Sequence, residues 1–173
     1  MRQFNGVLFP IEKPRVTMPF RAFETKWYSP EKPHRGADVA PYPGSTGAPV
    51  RMPLTGRVVL ADFHEFAGNQ IITEHVAPYS FGAHGLDGNV YTVLADDRFW
   101  IRTTHHSDIM VLQGADVDAG ALIAHVGSTG AFTTGPHVHM ELHQGEIWGR
   151  RLDPIDFFIA AIPGLRGAIS WPW

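Results

Sequence analysis

Eighteen glycines and 14 prolines are scattered along the whole of this 173-residue chain, breaking it into pieces of roughly four to eight residues. Proline cannot supply the amide hydrogen that a helix interior uses, and glycine loses the most backbone entropy there, so long helices have no room between the breaks. The pieces alternate or run apolar and are rich in β-branched and aromatic residues, as short strands are. Strands are predicted at Val50 to Met52, Gly56 to Ala61, Gln70 to Glu74, Asn89 to Leu94, Phe99 to Thr104, Leu122 to Val126 and His137 to His143, with Asp96-Asp97 as a hairpin turn. One short helix is predicted from Asp153 to Ala161: Asp153 caps it, Pro154 takes its first position, and Pro163-Gly164 end it. The expected architecture is a mainly β, single-domain antiparallel sheet fold with that one C-terminal helix. Residues 1–15 read as an N-terminal extension, 16–162 as the domain, and 163–173 as a tail that docks through its two tryptophans or frays.

The absence of cysteine removes disulfides, thiolate zinc sites and cysteine nucleophiles together, so a metal would have to be held by imidazole and carboxylate. Ten histidines are available for that. A formal net charge of -3 argues against a polyanion-binding protein, so no nucleic-acid partner is expected. With 44% hydrophobic and 18% charged residues the chain has the composition of a folded domain. No stretch reaches the roughly 18 apolar residues of a membrane span, and Met1 to Val16, with Pro10 and Pro14, does not read as a secretory signal. Work outside a cytoplasm would then need export, lysis or an upstream segment.

Three histidine-containing segments carry the chemistry. In His137-Val138-His139 a strand places both imidazoles on one surface, while Val138 and Met140 face the other way. His34-Arg35-Gly36-Ala37-Asp38 offers an imidazole and a carboxylate four residues apart, with Gly36 letting the backbone bring them together. The two segments supply the nitrogen and oxygen donors that suit zinc with one position left for water. The third, Thr104-His105-His106-Ser107, ends a strand, where only one of the two histidines can join a site on a given face; parity does not choose between them.

These segments, together with Ala40-Pro41 to Val50, Gly56-Arg57-Val58-Val59, Gly127-Ser128-Thr129-Gly130 and Thr134-Gly135-Pro136-His137-Val138-His139-Met140-Glu141, resemble the M23 peptidases of the lysostaphin and LytM type, from about Val16 to Phe158 and in the family's order. The resemblance implies a β-rich fold whose sheet floors a long substrate groove. It implies one Zn²⁺ per chain held by His34, Asp38 and His139, with His105 and His137 as the catalytic pair. The implied activity is zinc metalloendopeptidase cleavage of peptidoglycan, in a cross-bridge or stem peptide, at the bacterial cell wall, whether extracellular, periplasmic or phage-delivered. Two alternatives belong beside it: a catalytically inactive relative that binds cell wall or activates another hydrolase, and a zinc amidase or carboxypeptidase cutting other wall bonds.

The chain departs from the family pattern in places. Thr103-Thr104-His105-His106 stands where the family usually has Tyr-Ala-His-Leu, so His105 is chosen on the spacing of Ser107 and Ile109, with His106 as runner-up. The stretch between His75 and His105 is longer than the family hairpin needs; the excess, about Val76 to Asn89, reads as a loop that either walls the groove or makes a passive excursion. Glu65-Phe66-Ala67-Gly68-Asn69 keeps the family's glycine and asparagine and lacks its tyrosine. His75 reads as a structural hydrogen-bonding residue, and His64, His84 and His125 as surface or loop residues. Glu141 and His143 share a strand face with His137 and His139, so Glu141 is placed to hydrogen-bond an imidazole.

Overall fold

The computed structural model describes residues 6–23, 25–43 and 46–171. Residues 1–5 of the expected extension, and Pro172 and Trp173 of the expected tail, lie outside them. In chain order β1 (Pro14–Met18), β2 (Ala37–Pro41), β3 (Pro49–Arg51), β4 (Gly56–His64) and β5 (Gly68–Val76) precede β6 (Phe81–His84), β7 (Val90–Val93), β8 (Arg98–His106), β9 (Asp108–Ile109) and β10 (Asp116–Val117). Then come β11 (Leu122–His125), β12 (Val138–Gln144), β13 (Arg150–Leu152) and two helices, α1 (Pro154–Ala161) and α2 (Leu165–Ala168).

The main sheet runs β1-β2-β12-β8-β5-β4-β10, with β13 also paired to β12; β3-β11-β9 and β6-β7 form two smaller sheets. Each paired strand is antiparallel to its neighbour. The position of β12 matters most for function. Between β2 and β8, it sets His139 opposite Asp38 on one side and opposite Thr104 on the other. Segments about a hundred residues apart in sequence thus meet at one end of the sheet.

Behind the sheet α1 brings in Phe157 and Phe158, both fully buried. Phe157 packs on Phe81 and Phe99 with ring centroids 4.8 and 5.2 Å apart, and Phe158 on Phe9 at 4.9 Å. Each such side chain contributes about 1.5–3 kcal/mol by leaving water. The helix starts as expected: the Asp153 carboxylate accepts from Ile155 N at 2.9 Å, and Pro154 sits in the first turn.

Several expectations need revision. A second helix, the single turn α2, follows Gly164 and is anchored by buried Leu165. Residues 6–15 bring Val7, Phe9 and Ile11 into the core, and the segment after residue 163 adds Leu165 and Ile169, with Trp171 packed against the core. The turn at Asp96-Asp97 exists, with Asp97 N donating to Leu94 O, but the strands on either side of it do not pair: β7 pairs with β6, and β8 with β5 and β12. The expected loop from Val76 to Asn89 is largely ordered, because β6 buries Phe81 and Ala83 and packs against α1. Strand β2, Ala-Asp-Val-Ala-Pro, has little intrinsic strand preference, so its pairing with β12 owes more to burial than to propensity.

Candidate active site

His34, Asp38 and His139 converge. Asp38 Oδ1 lies 2.8 Å from His139 Nδ1 and 3.2 Å from His34 Nε2, and the two ring nitrogens are 2.9 Å apart. The outer nitrogens of both rings are already engaged: His34 Nδ1 faces Pro19 O at 2.9 Å, and His139 Nε2 faces Glu141 Oε1 at 3.1 Å. Carbonyl and carboxylate oxygens only accept, so these outer nitrogens donate. In the neutral rings the inner nitrogens are then acceptors. Two imidazole lone pairs and a carboxylate oxygen aimed at one spot need a cation between them, either a proton or a metal ion. The donor set is the nitrogen and oxygen set of a catalytic zinc site, and a tetrahedral ion with bonds of about 2.0–2.1 Å would hold its ligands about 3.3 Å apart. The residues fit the ion.

The electrostatics agree. Burial by itself raises the Asp38 carboxyl, but its hydrogen bonds with His139 and His34 outweigh this and leave it far below the carboxylate range. Burial lowers His139, yet its bonds to Asp38 and Glu141 prevail and carry it up to about 9. Without a metal the proton therefore belongs on His139, and a metal must displace it.

Gly36 makes the convergence possible. A Cβ there would stand 2.3 Å from Met140 O and 2.8 and 2.9 Å from His139 Cε1 and Nε2. Only a residue without a side chain lets this stretch pass so close to the ring of His139.

His105 and His137 face each other beside this cluster, with ring centroids 4.9 Å apart. His105 Nδ1 donates to Thr129 O and His137 Nδ1 to Gly135 O, both at 2.8 Å. Each ring therefore turns its Nε2 edge away from these carbonyls. His137 Nε2 comes within 3.7 Å of Asp38 Oδ1. Burial pushes the His105 imidazole down to about 4, so it is neutral at physiological pH.

The support for His105 comes from the two loops singled out in the sequence. Gly68, at φ 69°, packs on the Thr129 backbone, where a Cβ would lie 2.3 Å from Thr129 C and O. Asn69 N donates to Thr129 Oγ1, and Asn69 Nδ2 to His106 O.

Strand parity could not choose between the two adjacent histidines because β8 is bulged there. His105 has φ 66°, in the left-handed region, and the register with β5 shifts between Asn69 and Ile71. Both imidazoles are consequently buried, in different places. His105 reaches the cleft, whereas His106 turns to Thr103 Oγ1, 2.8 Å away.

Glu141 ties the floor together. Its carboxylate accepts from His139, His143, Arg102 and Arg151, at 3.1 Å from the first and 2.8 Å from each of the others. The expected bond to an imidazole is there. Arg102, which lies directly across from Glu141 in the β12–β8 register, carried no local signal in the sequence and becomes visible only once the strands pair. His75 is buried between Thr73 Oγ1 and Thr55 O, as a structural histidine. His84 and His125 pair with Asp156 and Asp108, but His64, expected as a plain surface or loop residue, lines the cleft. The cleft encloses about 440 Å³ and has Trp27, Phe66 and Phe132 on its wall.

Residues 79–154 match the model of peptidase family M23. The chain is 33% identical over 110 residues to the peptidoglycan DD-endopeptidase ShyB of Vibrio cholerae, a match covering 64% of this chain and 20% of that protein. The chain thus spans about a fifth of the length of the curated relatives it matches. Among solved structures, a zinc-containing peptidase from Vibrio cholerae is similar at 29% identity with a TM-score of 0.58, covering 82% of this chain and 36% of that one. The catalytic domain of lysostaphin from Staphylococcus simulans, at 23% identity and TM-score 0.60, shares the fold over 83% of this chain and 90% of its own.

Proposed function

We propose that the chain is a zinc metalloendopeptidase that hydrolyses peptide bonds of bacterial peptidoglycan, in a cross-bridge or stem peptide, with residues 16–162 supplying every site residue. The observation carrying this reading is the convergence of His34 Nε2, Asp38 Oδ1 and His139 Nδ1 beside two imidazoles that keep their Nε2 edges uncommitted to backbone carbonyls. Zinc held by those three residues would polarise the scissile carbonyl and bring the pKa of a water down toward about 7. His105 and His137 serve the proton traffic. Between them they accept the proton of the attacking water, hydrogen-bond the developing oxyanion and return a proton to the leaving amine. Glu141 holds the His139 ring in the tautomer that turns Nδ1 inward. No acyl-enzyme is needed.

Peptidoglycan as substrate, and with it action at the cell wall, is supported by the names of the relatives, which are DD-endopeptidases of that polymer. Among the described residues no helix is long and apolar enough to cross a membrane. The test is digestion of purified walls of several chemotypes with and without a chelator. Chelator-sensitive release of new amino termini is expected. Release of reducing sugar would point to a glycosidase, and no soluble product from any chemotype with zinc bound would favour the inactive, wall-binding or hydrolase-activating reading.

A further inference from the structure

A second cavity of about 510 Å³ meets the catalytic cleft at Arg35, whose side chain borders both. It lies between the turn of the β6–β7 hairpin, at Gly85 to Asp87, and the segment from Trp148 to Arg151. Three arginines line it, in a chain whose net charge is negative.

Their commitments differ. Arg151 is held by Glu141 and by Gly149 O. Arg150 has its guanidinium 3.9 Å from the centre of the Tyr91 ring and gives one N–H to Gln144 Oε1 at 3.3 Å. Stacking occupies the face of a guanidinium and leaves its edge donors available. Arg35 is exposed and has no hydrogen-bond or ion-pair partner among the described residues. Of the carboxylates here, Glu141 is shared by two arginines and two histidines, while Asp87, which also lines the cavity, accepts only from the neutral Tyr91 Oη and Asn89. Arg35 and Arg150, neither of them in an ion pair among the described residues, thus outnumber the one unpaired carboxylate of the lining, that of Asp87.

We propose that this cavity is a subsite for a free carboxylate of the substrate, and that Arg35 and Arg150 read it on a peptide stem flanking the scissile bond. The inference rests on the peptidase reading above and narrows it to anionic peptides over neutral ones such as glycine bridges. A guanidinium fork matches a planar carboxylate through two parallel N–H bonds, while a carboxamide offers only one acceptor oxygen and no charge. Because both arginines border open solvent, the discrimination is modest, about three- to tenfold.

Two synthetic cross-linked stem peptides test this, identical except that the stem carboxylates are free in one and converted to carboxamides in the other. The wild-type chain should show a kcat/KM about three- to tenfold higher for the free acid, expressed in KM. Arg35→Gln and Arg150→Gln should each bring that ratio toward one at unchanged zinc content. Equal kcat/KM for the two peptides in the wild type, or a ratio that neither substitution moves, overturns the subsite. If the wild type cleaves neither peptide, the peptidase reading fails separately, and the same ratio measured as Kd by calorimetry upholds or overturns the subsite.

Discussion

Replacing Gly36 by alanine changes no proposed ligand, no charge and no proposed catalytic group, yet it should weaken the proposed metal site. The added methyl would lie 2.3 Å from Met140 O and under 3 Å from two atoms of the His139 ring. Ordinary contact needs about 3.4 Å or more, so roughly 1 Å must be found at a place where β2 is pinned to β12 by backbone pairing. The obstructing atom is a backbone oxygen, which cannot rotate away. The ring of His139 can yield, but only by loosening its bonds to Asp38 and Glu141. Overpacking of this kind costs about 1–3 kcal/mol, and about 2–4 °C in Tm per kcal/mol for a domain of this size. Loss of the outer hydrogen bond to a metal-binding histidine typically costs about 10- to 100-fold in affinity. Zinc affinity, measured by competition with a chromophoric chelator, should therefore fall by that factor, alongside a lower Tm. Gly135→Ala is the control, since its methyl would meet nothing within 4 Å. A Gly36→Ala protein with wild-type zinc affinity and Tm would refute the reasoning.

His105→Ala and His137→Ala should each retain one zinc by metal analysis and lose about 10² to 10⁴ in rate, whereas loss of zinc from either variant would make that residue a ligand. Because His139 is pushed up to about 9 without metal, zinc must displace its proton, so apparent affinity should rise about tenfold per pH unit below 9; titration at pH 6, 7 and 8 that gives one constant would contradict this. His75 is held near 4 by burial against an ordinary value of about 6.5. Above pH 6.5 it is neutral in both states; as pH falls the unfolded chain takes the proton first, so stability drops, by about 2 kcal/mol at pH 5 from this group. Urea unfolding of wild type and His75→Gln at pH 7 and pH 5 checks it, and equal losses in the two proteins would exclude His75 as the cause.

Those features rest on information of different reach. The two motifs around His34 and His137 are local, and each needs only a short stretch of chain to present its donors to one face. The α1 helix was legible for the same reason, from Asp153, Pro154 and the Pro163-Gly164 stop. What could not be read depends on pairing between distant segments. Arg102 meets Glu141 only because β8 lies beside β12, and the Val76 to Asn89 excursion becomes a hairpin only because Phe81 finds Phe157. His105 and His106 were inseparable by parity because a bulge with a left-handed residue suspends the alternation that parity assumes. Arg35 sat inside the recognised motif, but its freedom from partners is a property of the folded surface.

The most direct test of the central claim is a zinc titration of the chelator-stripped protein, following the release of new amino termini from purified walls. The account predicts no activity without metal and a linear rise that levels off at one zinc per chain, with Asp38→Ala inactive throughout. Full activity in the stripped protein, or undiminished activity in Asp38→Ala, would contradict it.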